Sequence, residues 1–133
     1  MGIGPAVAIP AAIKSTGMEL DDIDLFEINE AFASQFVYCR KKLEIDPAKV
    51  NVNGGVMAIG HPLGVTGARC VTTLLHEMKR QGKDYRFGVI SMCIGTGMGA
   101  AAVLERGDCV DDLCNAWKIE TNNFLSKDAP QNT

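Results

Sequence analysis

Three side chains capable of catalysis stand close to the ends of apolar or glycine-rich segments in this sequence. Asn29 closes the segment IDLFEIN, Cys93 closes RFGVISMC, and His61 lies within NGGVMAIGHPLGVTGAR. An amide, an imidazole and a thiol are groups from which nucleophilic and general acid/base sites are built. Each also has a plainer explanation: a buried, hydrogen-bonded histidine, a small core cysteine, and an Asn29-Glu30 pair that caps a helix. Glycines follow both His61 and Cys93, and this joint pattern favours a site.

Apolar segments alternate with helical patterns along the chain, which predicts an α/β architecture with a largely parallel sheet. Strands are predicted near 23–29, 50–55 and 86–93, and helices over GPAVAIPAAIKSTG, from about Ala31, and from an N-cap at Thr66 to Gly82. The apolar stripes of the last two helices comprise Phe32, Phe36, Cys39 and Leu43, and Ala68, Val71, Leu75 and Met78. The residues alone leave GAAAVLER open between a helix and a returning strand.

This architecture also predicts where the chemistry lies. Ligands of open α/β sheets bind outside the carboxyl ends of the strands. Asn29, His61 and Cys93 each follow a predicted strand, so all three should meet at one edge of the sheet.

Composition narrows the classes of function. The chain has 133 residues, 47% of them apolar and 22% charged, as in a globular domain. A net charge of −3 argues against nucleic-acid binding, and no apolar run approaches the roughly 20 residues that span a bilayer. The five cysteines are irregularly spaced, which favours reduced thiols over a disulfide framework. Cys109 and Cys114 lack neighbouring ligands, so no metal site is expected.

The segment from Gly95 to Ala100 matches the G-x-G-x-x-G/A pattern of dinucleotide-binding turns. That fingerprint requires a following helix, a second strand and an acidic residue about 20 positions further on. Here the chain runs into a polar tail, which argues against a dinucleotide site.

Three motifs in order give a specific resemblance. NEAFA (29–33), GGVMAIGHPLGVTGAR (54–69) and CIGTGMG (93–99) resemble the C-terminal domain of thiolases, and most closely the peroxisomal 3-ketoacyl-CoA thiolases of fatty-acid β-oxidation. The resemblance covers residues 1–106 and leaves 107–133 as a polar, flexible tail. It implies a three-layer α/β/α domain with a mixed, mostly parallel sheet, in which GAAAVLER is the final antiparallel strand.

The resemblance also implies roles. Thiolases cleave a 3-ketoacyl-CoA with CoA, or run the reverse Claisen condensation, through an acyl group carried on one cysteine. Cys93 resembles the second, acid/base cysteine, and His61 the histidine that activates the acyl-carrying cysteine and donates to the thioester oxygen. Asn29 resembles the residue that fixes an oxyanion-site water, and Gly95 the backbone donor of the other oxyanion site. Ala31 and Phe32 border the pantetheine channel in the family, although Phe32 fits a core position equally well.

Departures from the family pattern set further expectations. No cysteine here has the context of the acyl-carrying cysteine, and the family's central first strand is expected to be missing. Two strands would then lack the neighbour between them, so we expect this chain alone to be inactive and marginally stable. The alternative is a non-catalytic, truncated thiolase that binds thiolase subunits.

The remaining implications concern location and partners. The resemblance implies a peroxisomal homo-oligomer that uses CoA and acyl-CoA as substrates, with no bound cofactor and with no nucleic-acid or membrane partner. No targeting signal is expected in the chain, whose last residues are Gln131-Asn132-Thr133 rather than Ser-Lys-Leu.

Overall fold

A computed structural model describes residues 2–107, so the predicted tail lies outside the described residues apart from Gly107. The elements are α1 (Gly4–Thr16), β1 (Leu25–Ile28), α2 (Ala33–Lys42), α3 (Val56–Ile59), α4 (Thr66–Gln81), β2 (Phe87–Cys93) and β3 (Gly99–Glu105), with short 3-10 turns at Leu20–Asp22 and Pro47–Lys49. Within 2–107, no helix is both long and apolar enough to cross a membrane.

The three strands form one mixed sheet in the order β1-β2-β3. β1 and β2 are parallel, with Leu25 opposite Gly88, and β2 and β3 are antiparallel, with Cys93 opposite Gly99. The segment GAAAVLER is therefore a returning strand and not a helix. The parallel pair places the ends of β1 and β2, and with them Asn29 and Cys93, at the same edge.

Helices cover both faces of the sheet, which gives the predicted three layers. Phe26 and Ile28 of β1 pack with Ile9 and Ile13 of α1 in the larger core cluster. Leu25, on the opposite face of the same strand, packs with Leu74 and Met78 of α4. Burial of one such side chain contributes roughly 1.5–3 kcal/mol, so this alternation along β1 fixes which helix lies on which face.

The predicted positions of the helices are confirmed, but the residues that α4 buries differ from the predicted ones. α1 begins with Pro5 in its first turn and ends at Gly17, which has a left-handed φ of 75°, as the sequence predicts. In α4 the buried apolar residues are Cys70, Leu74 and Met78. The predicted stripe through Ala68, Val71 and Leu75 is wrong, since Leu75 is 43% exposed.

The predicted strand over 50–55 is also wrong. Only Val50 makes a bridge, to Phe26 of β1. Asn51 then adopts a left-handed φ of 47°, which turns the backbone away from the sheet. Its side chain takes over the pairing, because Asn51 Oδ1 accepts from the Ile28 N–H and Nδ2 donates to the Ile28 carbonyl, both at 2.8 Å.

The expected gap in the middle of the sheet is absent. β1 and β2 pair directly over four residues of each strand, from Leu25 with Gly88 to Ile28 with Ser91. The unpaired strand edges that were expected there are therefore closed by backbone hydrogen bonds. Marginal stability of the chain stays a prediction, but unpaired strand edges between β1 and β2 no longer support it.

Candidate functional site

One cleft at the carboxyl edge of the sheet collects the residues singled out from the sequence. It has a volume of about 590 Å³. Its walls include all six predicted site residues, namely Asn29, Ala31, Phe32, His61, Cys93 and Gly95. The cleft also has wall residues that the sequence did not single out as site residues, namely Leu63, Gly64, Thr66, Gly67, Met92 and Ile94.

Asn29 is held by the sheet at the floor of this cleft. Its backbone N–H donates to the Ser91 carbonyl at 2.8 Å, which continues the pairing of β1 and β2 by one residue. The residue is only 3% exposed, and its Oδ1 is buried with no hydrogen-bond partner among the described residues. A buried amide oxygen without a partner is costly, and a water or ligand group in the cleft would satisfy it.

The helix that follows does not use Asn29 or Glu30 as a cap. α2 begins at Ala33 with Phe32 in the N-cap position and with no side-chain cap. Phe32 is 49% exposed and lines the cleft. The alternative that Phe32 is a core residue is therefore wrong, and so is the helix-cap explanation of Asn29-Glu30.

The described thiols differ sharply in their surroundings. Cys39 and Cys70 are fully buried, and burial raises the pKa of both thiols. Cys93 is half-buried at the end of β2, on the wall of the cleft. Since the thiolate is the reactive form and needs access, Cys93 is the described thiol best placed for chemistry. All three are thiols rather than disulfide sulfurs.

A glycine turn connects Cys93 to the returning strand. Gly95, Thr96 and Gly97 have φ values of 88°, 49° and 80°, the left-handed region that favours glycine. The turn is closed by Ile94 N–H donating to the Met98 carbonyl and by Met98 N–H donating to the Gly95 carbonyl. Neither bond involves the Gly95 N–H. The turn leads into antiparallel β3 rather than a helix, which agrees with rejecting a dinucleotide site.

The loop before His61 is anchored by the carboxylate of Glu30. This carboxylate accepts from the Met57 N–H at 2.9 Å and from Asn51 Nδ2 at 3.2 Å. Gly55 lies so close that a Cβ there would collide with the same carboxylate. Glu30 thus ties the end of β1, where Asn29 lies, to the loop that leads to His61.

The imidazole itself contacts the first residue of α4. His61 Nδ1 lies 2.8 Å from Thr66 Oγ1, which also donates to the Pro62 carbonyl at 3.2 Å. Val65, not Thr66, is the N-cap of α4, so the predicted cap is wrong by one residue. The hydroxyl of Thr66 serves the histidine loop instead of the helix end.

Two further carboxylates, those of Glu27 on β1 and Glu77 on α4, are buried. Glu27 of β1 forms an ion pair with Arg69 of α4, yet burial raises the pKa of Glu27 overall. Glu77 accepts from Arg80 Nε and from Asn53 Nδ2, both at 2.8 Å, and the hydrogen bond from Arg80 is the main reason that its pKa falls to about 2. These contacts join α4 to β1 and to the loop at Asn53.

Sequence reasoning missed the supporting roles of these polar residues. Glu27 carries one signal, since a charge inside an otherwise apolar strand needs a buried partner. Glu30 and Asn51 carry no such signal, because their partners, which are backbone groups and each other's side chains, lie more than 20 residues away in the sequence. No cluster of three or more potential metal ligands occurs within residues 2–107.

Comparisons with known proteins identify the family of this chain. The family model for the thiolase C-terminal domain matches residues 1–106. The chain is 81% identical over 129 residues to 3-ketoacyl CoA thiolase 1, peroxisomal, of Petunia hybrida, and equally to 3-ketoacyl-CoA thiolase 2, peroxisomal, of Arabidopsis thaliana. Each alignment covers 97% of this chain and 28% of the relative.

A solved structure gives the same result for the fold. The dimeric peroxisomal thiolase of Saccharomyces cerevisiae matches with a TM-score of 0.74 and 58% sequence identity, over 80% of this chain and 26% of that one. The described α/β fold is therefore a thiolase fold. The chain belongs to the thiolase family, in which it matches the C-terminal domain.

Proposed function

We propose that this chain supplies the histidine and the acid/base cysteine of a 3-ketoacyl-CoA thiolase site. The reaction is thiolysis of a 3-ketoacyl-CoA by CoA, which yields acetyl-CoA and an acyl-CoA shortened by the acetyl unit, or the reverse condensation. The observation that carries the proposal is the cleft of about 590 Å³, on which Asn29, His61, Cys93 and Gly95 all lie. Each of the four supplies a group that this chemistry requires.

Cys93 moves the proton in both halves of the reaction. When the bond between the α- and β-carbons breaks, the electron pair stays on the acetyl unit as an enolate, and the Cys93 thiol protonates its carbon. The resulting thiolate then takes the proton of the incoming CoA thiol, which attacks the acyl thioester. The half-buried position of Cys93 on the cleft wall supports this role.

His61, Asn29 and Gly95 stabilise negative charge on oxygen. His61 activates the acyl-carrying cysteine and donates to the thioester oxygen, and Asn29 fixes the water that completes this oxyanion site. The buried Asn29 Oδ1, which lacks a partner among the described residues, supports the place of that water. The Gly95 N–H donates in the second oxyanion site, on the left-handed turn after Cys93. One such fixed donor is worth roughly 3–4 kcal/mol of barrier.

The acyl-carrying thiol comes from outside residues 2–107. Cys39 and Cys70 are buried and their pKa values are raised, so neither suits a nucleophile. The rim of the cleft exposes apolar side chains, with Leu63 at 78% and Ile94 at 50%. A rim of this kind fits a contact with the rest of a thiolase. The chain alone therefore lacks thiolase activity.

Location and assembly follow the named relatives. The Petunia and Arabidopsis thiolases are peroxisomal, and the yeast thiolase is dimeric. We place this chain in the peroxisome, in a homo-oligomeric enzyme of fatty-acid β-oxidation that binds CoA and acyl-CoA as substrates and needs no bound cofactor. Residues 1–106 form the thiolase C-terminal domain.

Reconstitution tests the proposal. The chain is assayed for thiolysis of acetoacetyl-CoA alone, and again after co-expression with the N-terminal part of a peroxisomal thiolase. We expect no turnover from the chain alone and measurable turnover from the complex. A stable complex with no turnover would favour the alternative function, a non-catalytic form that binds thiolase subunits. Turnover by the chain alone would refute the missing-nucleophile argument.

A further inference from the structure

We propose that Thr66 is a positioning residue that fixes His61 in the tautomer with its proton on Nδ1. The neutral ring then keeps the lone pair on Nε2, the nitrogen left for the cleft. The catalytic consequence rests on the proposed function. The tautomer itself does not, because it can be observed without turnover.

Geometry supports the assignment. Thr66 Oγ1 lies 2.8 Å from His61 Nδ1 and 3.2 Å from the Pro62 carbonyl oxygen. A carbonyl oxygen can only accept, and a hydroxyl has one proton. When the hydroxyl proton goes to Pro62, the hydroxyl oxygen must accept from Nδ1–H. Thr66 is only 6% exposed, so water has little access to replace either bond.

The chemistry of the ring supports the same arrangement. The proposed cycle takes His61 from neutral to protonated and back, and an imidazolium donates from both nitrogens. With the proton on Nδ1, the bond to Thr66 has the same donor and acceptor in both states, and only Nε2 gains or loses a proton. With the opposite tautomer, the hydroxyl would have to turn away from Pro62 and back in every cycle.

Nitrogen NMR of the complete 133-residue chain tests the tautomer. The chain has only two histidines, His61 and His76. His76 is exposed on α4 and outside the cleft, so His76→Gln assigns the signals by elimination. In histidine-labelled protein near pH 8, where an ordinary histidine is neutral, we expect His61 Nδ1 at a protonated shift and Nε2 at an unprotonated one.

Two substitutions of Thr66 separate the hydroxyl from the shape of the side chain. Thr66→Ser keeps the hydroxyl and should keep the His61 shifts. Thr66→Val keeps the shape but removes the acceptor, so the Nδ1 proton should be lost in favour of Nε2–H, while His76 stays unchanged. A wild-type His61 with the proton on Nε2 would overturn the proposal even if Thr66→Val failed to fold. Unchanged His61 shifts in a folded Thr66→Val protein would do the same.

Kinetics of the reconstituted enzyme provide the second measurement. Thr66→Val should lower kcat by up to about 100-fold, the loss that a misplaced catalytic group can cause, with KM little changed and with activity retained in Thr66→Ser. Wild-type kcat in Thr66→Val would refute the positioning role and leave the proposed function standing. A reconstituted wild type without activity would refute the proposed function, and the NMR result would still decide the tautomer.

Discussion

At the scale of single residues, surroundings rather than residue type separate the reactive groups from the rest. Cys93 is a half-buried thiol on the cleft wall, whereas Cys39 and Cys70 are fully buried. His61 lies on the same cleft and His76 on the outer face of α4.

Iodoacetamide should modify Cys93 before Cys39 and Cys70 in the native chain. Burial keeps the reagent away from Cys39 and Cys70, and it also raises the pKa of their thiols, which lowers the fraction of reactive thiolate. Peptide mapping by mass spectrometry after short labelling times measures the order. Cys93→Ser is the matched control and removes the early adduct among these three positions. Equal labelling rates in the folded chain would contradict the prediction.

The sequence was sufficient to predict residues that line one cleft but not the partners of their side chains. Asn29, His61 and Cys93 could be found because each has a reactive side chain after a predicted strand. Thr66 was predicted as a helix cap, since hydroxyls favour that position, whereas its hydroxyl contacts His61 and Pro62. Side-chain contacts of this kind depend on how the loop closes, and local spacing does not contain that information.

At the scale of elements, the segment between α2 and α4 is positioned by side chains rather than by a strand. The period-two pattern of KVNVN predicts a strand, but the left-handed backbone of Asn51 ends the pairing after Val50. The Asn51 side chain holds the segment before α3, and the Glu30 carboxylate holds the first turn of α3. Substitutions that disturb this packing should therefore lower the free energy of unfolding.

Gly55→Ala should destabilise the folded chain by about 1–3 kcal/mol, the usual cost of forcing atoms into a packed site. The new Cβ would collide with the Glu30 carboxylate, which must then release Met57 or Asn51. Gly64→Ala is the control, because a Cβ there meets nothing within 4 Å. Urea unfolding measures both variants. Equal stabilities of the two variants would show that Glu30 can move at no cost.

Glu77 should make the stability of the chain depend on acid pH. The pKa of Glu77 is about 2 in the folded state and about 4.3 in the unfolded state. The folded state therefore favours the ionised carboxylate. The stabilisation is fully present above about pH 4.3 and is lost as pH falls toward 2. Hydrogen bonds from Arg80, Asn53 and Gln81 are the source of this preference.

Glu77→Gln provides the test, because the variant cannot ionise at this position. The difference in unfolding free energy between the wild type and Glu77→Gln should be largest near neutral pH and shrink toward pH 2. Taking this difference removes the opposite effect of Glu27, whose pKa is raised by burial. Denaturant unfolding at a series of pH values measures it. A difference that stays constant between pH 5 and pH 2 would contradict the assigned pKa.

At the scale of the whole molecule, the alternation of segments was enough to predict the α/β class and the edge at which the cleft lies. The pairing of the strands was not predictable from local pattern. A gap was expected between the predicted strands at 23–29 and 86–93. The structure closes it, because β1 and β2 pair directly. Every strand offers the same backbone donors and acceptors. The residues of β1 and β2 therefore do not determine which strand lies beside them.

In the proposed function, His61 is one half of a catalytic pair whose acyl-carrying cysteine lies outside residues 2–107. The chain spans 28% of the length of the Petunia and Arabidopsis thiolases, so the claim concerns the assembled enzyme. The most direct measurement is the rate of acetoacetyl-CoA thiolysis by the reconstituted complex with wild-type chain, His61→Ala or His76→Ala. We predict activity with the wild type and with His76→Ala, and a loss of at least about 100-fold with His61→Ala. Wild-type turnover by a folded His61→Ala complex would contradict the claim.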